Sequence, residues 1–449
     1  MSKYLPTPFK NHPSLPIAII GGGLCGLPLA IGLVKHNINV HIYESAPAFS
    51  EIGAGVAFGV NAISALQLID PRLLEGYKLH ATFNEDRERD ATFYSMRWGV
   101  DGENGEKKGD RGWDLSDKWF SDKTRSLGVR TRSCIHRAKL LEQLIALLPP
   151  GTTTFNKSFS HAIDLSDNTI QLFFADGSSA LCSALMGCDG IKSKVRARVC
   201  PDVKPTYARE IAYRAVVPRA NAIAALGADA VLNGSLWCGY GAYIISYPIA
   251  HGASINMVAI RFDADATSWP ENRESTLPVP NGEIQEKFHA WFSPLVDLFV
   301  QHRLPSKWAL HVLAHSSPYF NGKICILGDA AHATVPHLGA GAGMAMEDAY
   351  ILSELIANVG DITHIEKAFR AYDMIRRPRT QECVRRSMEA SVGYGFRGKE
   401  GEDVKGDLER SFRWLWGVDL VGELEIARRV LETGIEGCLM GGEKQMVGE

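Results

Sequence analysis

No charge of either sign dominates this chain: 48 basic and 51 acidic side chains leave a formal net charge of -3 over 449 residues. That removes any global electrostatic case for a nucleic-acid partner or an anionic membrane. Paired cysteines are missing too. The nine cysteines are scattered without a CxxC spacing, which excludes a disulfide scaffold or a cysteine zinc framework and makes the reducing cytoplasm the expected location. There is no internal repeat and no long low-complexity tail. One uncharged run, PIAIIGGGLCGLPLAIGLV at 16–34, approaches membrane-spanning length. Its adjacent glycines are costly in a helix, and it divides more naturally into a buried strand, a tight turn and a helix, so no integral membrane segment is expected.

What the chain does have is apolar material, 45% of its residues, enough for more than one core, and two domains are the expectation at this length. After a proline-containing lead, a strand, glycine turn and helix run into a second strand, NVHIYE at 39–44, which makes a βαβ unit. DGENGEKKGDRGWDLSDKWFSDKTRSLG at 101–128 reads as a polar excursion, and HRAKLLEQLIALL at 136–148 as a helix. TIQLFFADGSSALCSALMGCDG at 169–190 reads as a hairpin turning at Asp176 and Gly177 and feeding a buried strand. IAYRAVV, YIISYPIA and INMVAIRF are short β-rich runs of a second domain. KICILG at 323–328 is another buried strand, MAMEDAYILSELIANV at 344–359 is a helix, and the chain stays helical beyond it. The expected fold is α/β: segments 16–80, 129–205 and 313–380 form one discontinuous domain, 81–128 reaches toward a second, 206–312 is that β-rich domain, and 381–449 is a helical C-terminal region.

IAIIGGGLCGLPLAIGLVKHNINVHIYES places Gly21, Gly23 and Gly26 in GxGxxG spacing after a strand, with Glu44 ending the next strand. Such a turn brings backbone amides against a pyrophosphate at a helix N-terminus, and a Cβ on it would push the ligand away. Glu44 can accept hydrogen bonds from a pair of ribose hydroxyls, whereas a 2'-phosphate there would meet like charge. A dinucleotide is expected, and this turn by itself does not distinguish NAD from FAD.

Two further groups narrow the choice. ALMGCDGIKSKVRARV at 184–199 sets Asp189 and Gly190 after a short apolar strand, followed by Ser193 and Arg196. GDAAHATVPHLGAGAGMAMEDA at 328–349 sets Gly328 and Asp329 after another. With the N-terminal turn, these resemble the motifs of the single-component flavoprotein aromatic hydroxylases, and AYRAVV, SYPIA, WALH and RRPR look closest to salicylate hydroxylases. The resemblance implies a para-hydroxybenzoate hydroxylase-like fold: a Rossmann-like FAD-binding domain, an inserted β-rich substrate domain and a helical C-terminal region. It implies FAD as cofactor, NADH or NADPH as transient donor, and a flavin C4a-hydroperoxide that hydroxylates a phenolic acid. Salicylate decarboxylated to catechol is the leading expectation. The alternatives are a dearomatising hydroxylase of resorcylic aldehydes and an FAD oxidoreductase without oxygen insertion. A homodimer is family-like.

Carried onto this sequence, the resemblance assigns Gly53 and Gly55 to a loop beside the flavin ring, Arg137 to a position against the cofactor, and Asp189, Gly190, Gly328 and Asp329 to the pyrophosphate and ribityl chain. Pro336, Gly341, Ala342 and Gly343 are expected along the ring. Arg214 is the candidate substrate anchor, because a fixed guanidinium makes paired charge-assisted bonds; a structural salt bridge is the competing reading. Tyr247 could orient a substrate oxygen or simply pack, with Tyr243 a weaker candidate of the same kind. His311 could accept a phenolic proton, or be an ordinary strand histidine. His332 and His337 lack HExxH register and any thiolate partner, so no metal is expected. RRPR at 376–379 is read as a helix end or solvated surface, with help to a cofactor phosphate as a lesser alternative. There is no second GxGxxG for the nicotinamide donor.

Overall fold

The computed structural model describes residues 15–434, apart from 50–54, 87, 88, 90, 117, 130–132, 267, 271–273 and 399–401. The apolar run near the start behaves as its glycines dictate. Ile17–Ile20 is a wholly buried strand, the chain turns at Gly21 with φ 99°, and Gly26–Lys35 is a helix. No helix among the described residues is long and apolar enough to cross a membrane. These strands lie at the centre of a six-stranded sheet ordered Phe320–Asn321, Ile324–Ile326, Ala184–Gly187, Ile17–Ile20, Val40–Tyr43 and Thr153–Thr154. Its central pairings are parallel. The carboxyl ends of Ile17–Ile20, Ala184–Gly187 and Ile324–Ile326 therefore share one rim, although they come from distant parts of the sequence. The expected hairpin is present as Ile170–Phe174 against Ser179–Cys182.

An eight-stranded sheet forms the second layer, with order Thr276–Pro278, Arg303–Val312, Thr206–Pro218, Ser254–Phe262, Ala242–Ile249, Ser235–Gly239, Thr92–Trp98 and Arg111–Ser116. Its last two strands come from the segment 81–128. Cross-strand partners share a face. Ala212, Ile260 and Tyr243 make one row, Arg214, Val258 and Ile245 the next, and Val216, Asn256 and Tyr247 the third. The alternate residues Tyr213, Ala215, Ile244, Met257 and Ala259 pack with Leu295, Leu298 and Phe299 of the helix Ser293–His302. One face is thus closed by helices, and the Arg214 face is left for the first domain.

The C-terminal part departs from expectation in two ways. The division expected at 380 falls inside one continuous helix, Ile365–Tyr394, which contains Pro378. RRPR is therefore neither a helix end nor a solvated patch: Arg376 is 0% and Arg379 8% exposed along its side chain. Burial of these cations is tolerated because carboxylates meet them. Arg376 Nε donates to Asp348 Oδ1 at 2.8 Å and its Nη1 lies 2.8 Å from Glu347 Oε2. Arg379 Nε donates to Glu347 Oε2 at 2.8 Å and its Nη2 to the Leu415 carbonyl at 2.8 Å. Both acids sit on the helix Gly341–Val359, and Asn61 on the helix Val60–Ile69 donates to Glu347 Oε1 at 2.7 Å.

Burial alone would raise the pKa of Glu347 and Asp348, but the neighbouring cations outweigh it and hold both below the ordinary carboxylate range. With the folded pKa depressed, the unfolded chain binds protons first; this contribution is full above about pH 4 and is lost as pH falls further. Arg376→Met should leave both carboxylates under-compensated and lower stability by about 3–5 kcal/mol. Urea unfolding checks it, and an unchanged midpoint at neutral pH would mean that the cluster contributes nothing.

Candidate active site

Three loops leave the shared rim. In the first, the glycines have different duties. A Cβ on Gly21 would lie 2.5 Å from the Cys188 carbonyl oxygen and one on Gly26 2.0 Å from the Gly21 carbonyl oxygen, so these two let strand, turn and helix pack. A Cβ on Gly23 would meet nothing nearer than Arg137 Nη2 at 4.0 Å. Gly23, Leu24 and Cys25 instead line a deep cleft. Glu44 stands beside this turn, accepting from the Gly22 amide at 2.7 Å and the Ala46 amide at 2.8 Å. Arg137 opens the helix Arg137–Ile145 and lines the same cleft.

In the second loop Asp189 turns inward, accepting from Ser193 Oγ at 2.5 Å and the Lys194 amide at 2.8 Å, and it is Gly190, at φ 76°, that lines the cleft. Arg196 ties this loop to the third: its Nη1 donates to the Ala330 carbonyl at 3.1 Å and its Nη2 to the Ile191 carbonyl at 2.8 Å. In the third loop Gly328 takes φ 56° and gives its amide to Asp348 Oδ2 at 3.1 Å. Asp329 follows with its side chain in the cleft. It is solvent-accessible yet hemmed in by protein, and burial raises its carboxyl pKa while His332 and Arg137 oppose the rise. Pro336, Gly339, Ala340, Gly341 and Ala342 continue the wall. Gly343 does not: it is buried, and a Cβ on it would meet Ala62 Cβ at 3.2 Å, so its smallness serves helix packing. Gly53 lies outside the described residues.

The opposite wall is the second sheet. Ile245, Tyr247, Val258 and Ile260 line the cleft, joined by Tyr94 and by Gly55, Val56 and Ala57. Gly55 belongs to the strand Gly55–Phe58 and not to a loop. A Cβ on it would sit 2.7 Å from Ile249 Cγ2, so its smallness is used against this sheet. Tyr247 Oη donates to the Gly55 carbonyl at 3.1 Å, which ties the strand Gly55–Phe58 to this sheet. Arg214 shares a face with the cleft residues Val258 and Ile245, and its Nε donates to Asn256 Oδ1 at 3.1 Å, fixing the plane of the guanidinium. Burial lowers its pKa and Tyr247 opposes this.

His311 is not brought to the cleft. It lies between the cleft-side residue Leu310 and Val312, meets the rings of Tyr207 at a tilt and Trp269 edge-on, and hydrogen-bonds through Nδ1 to the Ala309 carbonyl at 3.0 Å. Strand alternation points it to the face away from Trp308 and Leu310, so the geometry gives it no substrate proton. His332 and His337 each meet one carboxylate, Asp348 and Glu210, at 2.6 Å. Tyr94 and Glu210 were missed by the sequence reading. For Glu210 there was a signal: in REIAYRAVV it precedes Arg214 by an even number of residues on one strand, and so shares its face.

The cleft suits a flavin dinucleotide. Two helix N-termini, at Gly23–Cys25 and at Ala340–Ala342, line one cavity together with a cation, Arg137. One end suits a diphosphate and the other an electron-rich ring edge. Gly23→Val puts a branched side chain into the open space beside Arg137 and should lower flavin affinity at least about tenfold, or ~1.4 kcal/mol, with the fold kept. Gly26→Ala should instead destabilise the protein by about 1–3 kcal/mol or more. Flavin content and unfolding midpoint separate the two; normal flavin affinity in the Gly23 variant would remove the pyrophosphate role.

Comparison with known proteins agrees with this geometry. The family described as FAD binding domain matches residues 175–387. The chain is 36% identical over 430 residues to 6-methylsalicylate 1-monooxygenase atA of Aspergillus terreus, covering 92% of this chain and 91% of that protein. It is 33% identical over 454 residues to a salicylate hydroxylase of Pseudomonas putida, covering 96% and 100%. Among solved structures, a salicylate hydroxylase substrate complex superposes with a TM-score of 0.78 at 28% identity, covering 92% of this chain and 98% of that one. With such identity over nearly its whole length, the chain belongs to the FAD-dependent aromatic monooxygenases, the family of the salicylate hydroxylases.

Proposed function

We propose that this protein hydroxylates a 2-hydroxybenzoate, salicylate or a ring-alkylated salicylate, at the carbon bearing the carboxyl group. The products are the catechol and carbon dioxide, with NADH or NADPH as reductant and O2 as oxygen source. The observation that carries this reading is the place of Arg214: a half-buried guanidinium, plane fixed by Asn256, in the same cross-strand row as Val258 and Ile245, which line the flavin cleft. The names of two relatives, a 6-methylsalicylate 1-monooxygenase and a salicylate hydroxylase, support the same substrate class.

FAD in the cleft supplies the activation of O2 that no side chain can provide. The protein's residues do the rest. Gly23, Gly190 and the amides at Gly341 and Ala342 bind the cofactor, with Glu44 at the adenosine ribose and Asp329 at the ribityl hydroxyls. Arg214 fixes the carboxylate or phenolate, and the aromatic ring lies on the apolar wall of Ile245, Val258 and Ile260. That wall also excludes water from the reacting carbon. Tyr247 is held by its bond to the Gly55 carbonyl and stands next to Arg214, which makes it an orienting group more than a proton acceptor.

The test is aerobic NAD(P)H oxidation by the purified yellow protein with salicylate, 6-methylsalicylate, 3-hydroxybenzoate, 4-hydroxybenzoate and resorcylic aldehydes, products identified. Catechol or methylcatechol with carbon dioxide is expected from the first two. A hydroxylated dienone from an aldehyde would move the assignment to dearomatisation, and peroxide with every aromatic unchanged would remove oxygen insertion. Arg214→Ala should keep FAD and lower kcat/KM for the acid by about 30- to 1,000-fold; unchanged substrate dependence would remove it as the anchor.

A further inference from the structure

Arg214 has a companion on its strand that the proposed chemistry does not use. Glu210 lies on the same face of Thr206–Pro218, one cross-strand row beyond Ala212 and Ile260, and about 13–14 Å along the strand from Arg214. It is almost wholly buried and reaches out of the sheet to the third loop of the cleft. Its Oε2 lies 2.6 Å from Nε2 of His337. A carboxylate only accepts, so Nε2 carries a proton, and Nδ1 pairs with the hydroxyl of Tyr243, its other partner. The ring is thus fixed in orientation from both sides.

His337 sits in the turn Pro336–Leu338, and the residues flanking it, Pro336 and Gly339, line the cleft. Behind this turn stands the long helix: Ser387 Oγ donates to the Val335 carbonyl at 2.6 Å, and Tyr394 Oη to the His337 carbonyl at 3.3 Å. Ser391 Oγ also donates to Glu210 Oε1, and Arg397 Nη2 lies 3.4 Å from the same oxygen. Burial alone would raise the Glu210 pKa, but His337, Ser391 and Arg397 outweigh it and keep the group ionised. A buried ionised acid in an otherwise apolar cluster of Leu338, Ile260, Tyr243 and Tyr394 adds little stability over an apolar residue there. What it does add is a fixed link between two elements: the strand that carries the substrate anchor and the turn that lines the flavin.

We propose that Glu210 is a positioning residue that couples occupancy of Arg214 to the flavin-facing turn Pro336–Gly339 through His337. Engagement of the carboxylate at Arg214 fixes the strand, Glu210 carries that constraint to His337, and the turn is set against the flavin only when substrate is present. This rests on the reading of Arg214 as the substrate anchor.

The experiment uses the FAD-loaded protein and salicylate as probe. Two things are recorded anaerobically: the salicylate-induced difference spectrum of the flavin with its binding curve, and the rate of flavin reduction by NADH with and without salicylate. Glu210→Gln and His337→Asn should retain FAD, bind salicylate within about threefold of the parent, and lose at least about tenfold of the salicylate stimulation of reduction together with the spectral change. Glu210→Asp should restore part of both. Full stimulation in both variants would overturn the coupling role. So would a loss of salicylate affinity as large as the loss of stimulation, because Glu210 would then only shape the pocket. If one variant fails to retain FAD, the other decides by the same criteria. Absence of any salicylate effect in the parent protein would instead overturn the substrate reading on which the proposal stands.

Discussion

Asp348 holds three donors at once: the Gly328 amide at 3.1 Å, His332 Nε2 at 2.6 Å and Arg376 Nε at 2.8 Å. Everything on the flavin side of the cleft depends on that carboxylate. It fixes the left-handed Gly328 and with it the direction in which Asp329 leaves the sheet. Through Arg376 and Glu347 it locks the helix Gly341–Val359 against the long helix Ile365–Tyr394, and Arg379 extends the lock to the Leu415 carbonyl. Such a cluster is expensive to desolvate and is poor value as pure stabilisation. Its effect is geometric: one arrangement of the helix N-terminus at Ala340–Ala342 satisfies every charge.

The cleft forms between the strand-end loops of one sheet and one face of the other. On one side, three adjacent parallel strands end together, and their loops deliver Gly23, Gly190 and Asp329 to one rim, as ligand sites in open parallel sheets do. On the other, antiparallel alternation sends one set of residues to the covering helices and the other, with Arg214 and Tyr247, toward the rim. In the proposed function the flavin and the aromatic acid are therefore served by different sheets. Glu210 and Tyr243 tie the second sheet to the third loop of the first, both through His337.

The strands and the glycine turns were legible because each is written in local pattern: apolar runs that stop at glycine, and period-two alternation. The family resemblance added the flavin. What stayed hidden depends on partners far along the chain. RRPR reads as surface until Glu347 and Asp348, supplied by another helix, make its burial affordable. Gly343 looks like a flavin contact until Ala62 is found where its Cβ would be, whereas Gly55 does line the cleft. His311 fell on the wrong side of its strand, a one-residue matter that Trp308 and Leu310 would have revealed through alternation.

The central claim is that one cleft holds FAD along the Gly23–Gly341 wall and the aromatic acid against Arg214. An electron-density map of the FAD-loaded protein with salicylate tests it most directly. The ring should lie over Ile245, Val258 and Ile260, with its carboxylate or phenolate at the Arg214 guanidinium and the flavin edge at Pro336–Gly341. Salicylate bound outside this cleft, or inside it with Arg214 paired only to protein, would contradict the account.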